Sequence, residues 1–224
     1  MKCVLLCVAL VCLGSSCAVA QERSNQDSQA ANPDAPSQVA RDKAAQLSTP
    51  LSVGGKARYF AGRIFNPLDL ITPALGAGVE MARADQKLPP EWRRGAGAYG
   101  RLYGSGLASL ASFNTARFIS GAALREDPRY FPAETNGIGG RIKHALLFTL
   151  VDRSDSGHKT LAVSNFVAAA AGGMVGNFYI PSPYNDPRYT FTRSAVLLAY
   201  FAGSNVRQEF NPELKKLRKK LHLP

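Results

Sequence analysis

LAVSNFVAAAAGGMVGNF, residues 161–178, lies inside a run from Thr160 to Asn185 that holds no charged residue, in a chain that carries 27 Lys and Arg against 16 Asp and Glu. At helical spacing, Val163, Phe166, Val167, Ala170, Met174 and Phe178 fall on one side of this segment, and Ala168, Gly172 and Gly176 on the other. A helix with one bulky and one bare face brings its backbone close to a neighbour, in a protein core or in a membrane. The segment therefore predicts packing, not chemistry.

The segments on either side extend the pattern. Ser194 to Val206 is a second uncharged, Ala-rich helical run, and Tyr189 to Val206 reads as its helix. Earlier in the chain, helices are expected over Gly54–Phe65, Leu68–Ala84, Pro89–Leu124 and Gly137–Val151, with Gly100, Gly104 and Ala108 repeating a small face at four-residue intervals. Asn211-Pro212-Glu213 opens a last helix with Leu214, Leu217 and Leu221 on one side and Lys215, Lys216, Arg218, Lys219 and Lys220 on the others. No segment shows strand alternation. The fold class is all-α, a bundle of about six helices with Gly/Ala-rich close packing.

Seven Leu, Ile, Val and Phe residues between Leu161 and Ile180 supply roughly −2 to −4 kcal/mol towards bilayer insertion, against Ser164, Asn165, Asn177 and the glycines. A lone span is marginal on that balance. A hairpin with Ser194–Val206, packed through Gly and Ala, is the spanning form the sequence allows.

The N-terminus reads as a secretory signal peptide over residues 1–20: Lys2, an apolar run from Cys3 to Leu13, then small residues ending Ala18-Val19-Ala20. Leu13 stands one position too far from Cys17 for a lipoprotein signal. All four Cys, at 3, 7, 12 and 17, lie in this leader, so the mature chain has no disulfide, thiol nucleophile or zinc-thiolate site. Its removal takes one Lys and no acid, which leaves the chain strongly basic. Residues 21–50, rich in Gln, Ser, Asn, Asp and Pro, cannot bury enough surface to offset the entropy of ordering and read as a disordered spacer. Residues 51–224 form one helical domain.

Gly121-Ala-Ala-Leu-Arg-Glu-Asp-Pro-Arg-Tyr-Phe131, with Arg141, the Asp152–Gly157 loop and the Asn/Ala/Gly helix after it, resembles a group of exported bacterial proteins of unknown function over roughly Pro89 to Pro183. The resemblance implies export and supplies no substrate. Asp127-Pro128-Arg129-Tyr130 recurs as Asp186-Pro187-Arg188-Tyr189, which reads as an Asp cap before a helix opened by Pro, or as a helix pair used twice.

Chemistry is thinly signalled. Gly95-x-Gly97-x-x-Gly100 matches a dinucleotide fingerprint by letter, but Trp92-Arg93-Arg94 stands where a buried strand is needed and no acid follows at the required distance. No cofactor is therefore assigned. In the loop 152–159, Asp152, Asp155 and His158 recur at three-residue intervals and are the candidate catalytic residues of an exported metal-dependent phosphoester hydrolase. Ser156-Gly157-His158 resembles the central motif of lipid phosphatases of the acid-phosphatase type, yet the later His222 lacks the Asp that family requires, so neither that activity nor a metal site is carried over. A solvated turn whose acids cap helices is the simpler reading, and His144 reads as a packed core residue.

Basic charge points to nucleic acid, an anionic membrane or an anionic polymer, and export argues against nucleic acid. The expectation is an exported, envelope-associated helical protein with a structural or binding role at a membrane and no enzymatic activity. The basic last helix is its anion-binding element; Gly100, Gly104, Ala168, Gly172 and Gly176 are its packing residues and a route to homo-oligomers.

Overall fold

The computed structural model describes residues 49–64, 67–83, 88–133 and 137–221. The expected signal peptide and nearly all of the expected spacer lie outside the described residues. The order of elements is α1 (Val53–Ile64), α2 (Pro67–Arg83), a 3-10 turn (Pro90–Trp92), α3 (Ala96–Ala123), α4 (Ile138–Leu147), β1 (Val151–Arg153), β2 (Lys159–Leu161), α5 (Val163–Met174) continued by a 3-10 turn (Val175–Phe178), α6 (Pro187–Glu209) and α7 (Asn211–Lys220). The class is all-α, as the helical periodicity predicts.

Several boundaries differ from the periodic reading, each for a local reason. The helix expected from Pro89 is interrupted at Gly95, whose φ of 89° is left-handed, so α3 starts afresh at Ala96. The helix expected to reach Val151 stops at Leu147, and the central helix begins at Val163. Between them β1 and β2 pair antiparallel, with Asp152 opposite Thr160, around a turn containing Gly157 at φ 87°. Strands of three residues are too short to show alternation in sequence.

The two Asp-Pro-Arg-Tyr copies do different work. Asp186 caps α6 by accepting the Tyr189 backbone N–H at 3.0 Å, with Pro187 in the first turn. Asp127 starts no helix. Its carboxylate accepts from the Arg129 guanidinium, at 2.5 Å to Nη2, and from the Arg129 backbone N–H at 3.0 Å. The cap reading therefore holds at Asp186 and is corrected at Asp127.

α5 is the central helix, laid between α3 and α6, while α2 and α1 pack on α3 and α4 packs on α6. Leu110 and Phe113 of α3 and Leu197 and Phe201 of α6 close on Ala168 and Ala169. The neighbours supply the bulk and α5 supplies the room. A Cβ at Gly172 would stand 2.6 Å from Leu197 Cδ1 and 2.8 Å from Ser109 O; one at Gly173 would stand 2.0 Å from Ser194 Oγ; one at Gly176 would stand 2.9 Å from Ile180 Cδ1. Gly100 and Gly104 make no such approach: the space beside them is open, and the tight position on α3 is Gly106, 2.8 Å from Pro73 Cβ where α2 crosses. The packing role expected of Gly100 and Gly104 belongs to Gly106.

Because the bare face of α5 turns inward, its bulky face turns out. Val163, Phe166 and Val167 are exposed, Met174 is 53% exposed and Phe178 89%. Among the described residues no helix is long and apolar enough to cross a membrane. α5 has 12 residues, a rise of about 18 Å where a bilayer core needs about 30 Å, and α6 carries Arg188, Arg193, Arg207 and Glu209.

Candidate functional site: a charged interior and an apolar exterior

Where α1, α3, the hairpin and α5 meet, the interior is polar. Lys56, Arg117, Glu126, Asp152, Ser164 and Asn165 are all buried there. Arg117, in the last third of α3, donates from Nε to Asn165 Oδ1 at 2.7 Å and places Nη2 3.8 Å from Asp152 Oδ2. Its guanidinium lies 4.3 Å from the centre of the Phe201 ring, a cation–π contact that helps hold a charge away from water. Asn165 donates to Thr149 O at 2.9 Å, and Asn205 Nδ2 to Thr149 Oγ1 at 3.3 Å. One polar chain thereby links α3, the end of α4, α5 and α6.

Glu126 satisfies the start of α5 from another part of the chain. Its carboxylate accepts the backbone N–H of Val163 at 3.1 Å and of Ser164 at 3.3 Å, and the Ser164 hydroxyl. It can do so because α3 ends in a tight reversal: Arg125 takes φ 56°, Arg125 N–H donates to Ala122 O, and Glu126 N–H donates to Gly121 O at 2.9 Å. The Gly121–Phe131 stretch singled out in the sequence is this reversal, followed by Asp127 N–H bonding Arg153 O at 2.7 Å beside the hairpin.

These groups line a cavity of about 10 Å³ bordered by Lys56, Arg117, Glu126, Asp152 and Ser164. That is room for about one water. Burial pushes the Asp152 carboxyl up to about 7, against the opposing pull of Arg117 and of the Arg153 N–H, which Oδ1 accepts at 2.8 Å. Burial likewise lowers the Arg117 guanidinium, with Asp152 working against it.

Another buried carboxylate sits at the far end of α6. Glu209 accepts from Tyr130 Oη at 2.7 Å, Ala133 N–H at 3.0 Å and Arg141 Nε at 2.8 Å. Burial alone would raise its pKa, and the hydrogen bonds from Arg141, Tyr130 and Ala133 together hold it below the usual value. Tyr130 is pushed up by burial and by Glu209. His144 packs edge-on against Tyr130 and its Nδ1 is 3.3 Å from Tyr130 Oη.

The three residues expected to form a hydrolytic loop are separated in role. Asp152, 2% exposed, faces inward to Arg117; Asp155 pairs with Lys56 Nζ at 2.8 Å; His158 is exposed, with Nδ1 3.1 Å from Ser156 Oγ. Among the described residues no group of three or more His, Cys, Asp and Glu gathers as a metal would require. Lys56, Arg117 and Glu209 were not singled out as site residues in the sequence; Glu126 stood there only within the Gly121–Phe131 stretch and its local charge cluster, and Asn165 only as a polar residue of the uncharged run. The available signals were Arg117 as the one charged residue between Gly104 and Ala123, and Asn165 inside an uncharged run.

The basic residues of α7 lie at the surface. Lys215, Lys216, Lys219 and Lys220 are exposed, Arg218 is half-buried, and no residue of α7 is buried. No family model, curated protein or solved structure matches the chain.

Proposed function

We propose that this chain is an exported, envelope-associated helical module with a structural or binding role at a membrane, seated on the surface of a bilayer and not threaded through it. The observation that supports this reading best is the reversed polarity of α5. Ser164, Asn165, Ala168, Gly172 and Gly173 are buried while Val163, Phe166, Val167, Met174 and Phe178 face outward. In water such a face forfeits roughly 25 cal/mol for every Å² of apolar surface left uncovered, and extended exposed apolar surface marks an interaction site. Ile119, Leu124, Leu161, Phe191 and Val196 are exposed as well. The leader provides the route out of the cytoplasm, and the basic α7 favours an anionic partner. The hydrolase alternative is less favoured, because both carboxylates of its loop are engaged by cations of the fold.

Fractionation of native cells tests the proposal. The expected result is a protein whose N-terminus is Gln21, recovered with envelope membranes and released by detergent. Quantitative recovery in the soluble periplasmic or cytosolic fraction would overturn it.

A further inference from the structure

We infer that α4 and α7 form one prebuilt platform for an anionic lipid leaflet, with the Leu and Ile side chains of both helices entering the interface and their lysines meeting the headgroups. The inference rests on the membrane reading above and adds the surface and the lipid class.

Two amphipathic helices are held together by a single side chain. Arg141, in the first turn of α4, donates from Nη1 to Glu213 Oε1 at 2.5 Å in the first turn of α7, from Nε to Glu209 Oε1 at 2.8 Å, and from Nη2 to the Glu209 carbonyl at 2.6 Å. Its guanidinium also covers the Phe210 ring at 4.3 Å, at the junction of α6 and α7. The angle between α6 and α7 is therefore fixed by groups on α4. Glu213, held below its usual pKa first of all by the bond from Arg141, stays ionised.

Each helix then presents apolar residues outward. On α4 these are Ile138, Ile142 and Leu146, one turn apart, with Lys143 exposed on the adjoining flank. On α7 they are Leu217 and Leu221, 53% and 57% exposed, flanked by Lys215, Lys216, Lys219 and Lys220. A helix that merely closed the end of the bundle would pack its Leu stripe against α6, and here no residue of α7 is buried. An apolar stripe between lysines matches the layering of an anionic leaflet, with hydrocarbon below and phosphate beside it. A protein partner would have to supply both an apolar groove and an acidic rim, whereas an anionic leaflet supplies both at any point of its surface.

The test is flotation of the full chain with vesicles of equal parts phosphatidylglycerol and phosphatidylcholine, and with vesicles of phosphatidylcholine alone. The same assay is run on a variant carrying Lys215→Gln, Lys216→Gln, Lys219→Gln and Lys220→Gln, and on Leu217→Ser. The N-terminal apolar run is common to all of them, so the ratio of anionic to neutral binding is the readout. Wild type is expected to prefer the anionic vesicles in a salt-sensitive way, and the fourfold Gln variant to lose roughly fivefold per lysine, on the order of 600-fold together. Leu217→Ser should weaken binding to both vesicle types, with unchanged helical circular dichroism in every variant. Equal binding of wild type and the Gln variant would overturn the platform while leaving membrane association by the α5 face intact. Binding of wild type to neither vesicle would overturn both readings, and so would capture by a soluble polyanion without vesicle binding. Self-association of wild type that Leu217→Ser abolishes, without vesicle binding, would assign the face to a second copy and overturn the lipid occupant.

Discussion

Glu126 closes α3 and opens α5: its N–H bonds Gly121 O at 2.9 Å, while its carboxylate accepts from Val163 N–H, Ser164 N–H and the Ser164 hydroxyl. Glu126→Ala removes a cap from the central helix and leaves the Val163 and Ser164 backbone N–H groups and the buried Ser164 hydroxyl without their acceptor. The expected loss is about 3 kcal/mol in urea denaturation. Ser164→Ala keeps the two backbone bonds and should cost about 1 kcal/mol. Equal costs for the two variants would show that the backbone bonds to Glu126 contribute nothing.

Glycines on neighbouring helices are expected to respond oppositely to the same substitution. At Gly173 a new Cβ would meet Ser194 Oγ at 2.0 Å and the Ser194 N and Thr190 O atoms at 2.8 Å, contacts that backbone cannot yield. Gly173→Ala should therefore destabilise by about 2 to 3 kcal/mol. Gly100 and Gly104 face open space, so Gly104→Ala should stabilise by up to about 1 kcal/mol through helix propensity alone. Thermal midpoints of the two variants measured side by side decide it.

Arg125 holds a left-handed φ of 56° with an exposed side chain. An L-residue is strained there by roughly 1 kcal/mol, and glycine is not. Arg125→Gly is expected to leave stability unchanged or raise it by up to about 1 kcal/mol, although most surface Arg→Gly changes on a helical protein do the reverse. A loss of more than that amount in urea denaturation would show the strain to be absent.

Stability should carry a pH signature from Asp152. Its carboxyl in the folded chain is raised from the usual 3.8 to about 7, so the folded state binds the proton more tightly than the unfolded one. The sign follows directly: this group's contribution is most favourable below pH 4 and declines as pH rises towards 7. The interval corresponds to roughly 4 kcal/mol as an upper bound. Asp152→Asn should flatten this decline whatever it does to absolute stability, since it also leaves Arg117 without its anionic neighbour. Denaturant midpoints of wild type and variant between pH 4 and 8 check the difference in slope. Glu209 acts in the opposite sense, because its lowered pKa gives stability that is lost as pH falls through that value. The comparison must therefore be made between variant and wild type, not on wild type alone.

How far the sequence could be read is clearest at α5. The spacing of Val163, Phe166, Val167 and Met174 against Ala168, Gly172 and Gly176 defined two faces, but periodicity does not say which face turns inward. That depends on what the neighbours bring, and Phe113, Leu197 and Phe201 already fill the space that a bulky face of α5 would need. Gly100 and Gly172 look alike in sequence, and only the positions of the neighbouring helices separate an open site from a crowded one. The buried cluster was invisible for a similar reason. Lys56, Arg117 and Asp152 are far apart in the chain, and the loop 152–159 looked chemical because its acids stood together in sequence, while the fold turns Asp152 inward and pairs Asp155 with Lys56. The last helix was the most legible element, since its Leu and Lys positions required no partner to interpret.

The reversed polarity of α5 also governs how this chain can drift over generations. Outward positions such as Phe166, Val167 and Phe178 need only remain apolar, so Leu, Ile, Met and Phe should interchange there. Inward positions such as Ser164, Asn165, Gly172 and Gly173 are each fitted to one donor, one acceptor or one neighbouring carbon. A saturation-mutagenesis profile of this helix should thus look inverted beside that of an ordinary globular helix, with its small and polar letters fixed and its large hydrophobic letters free.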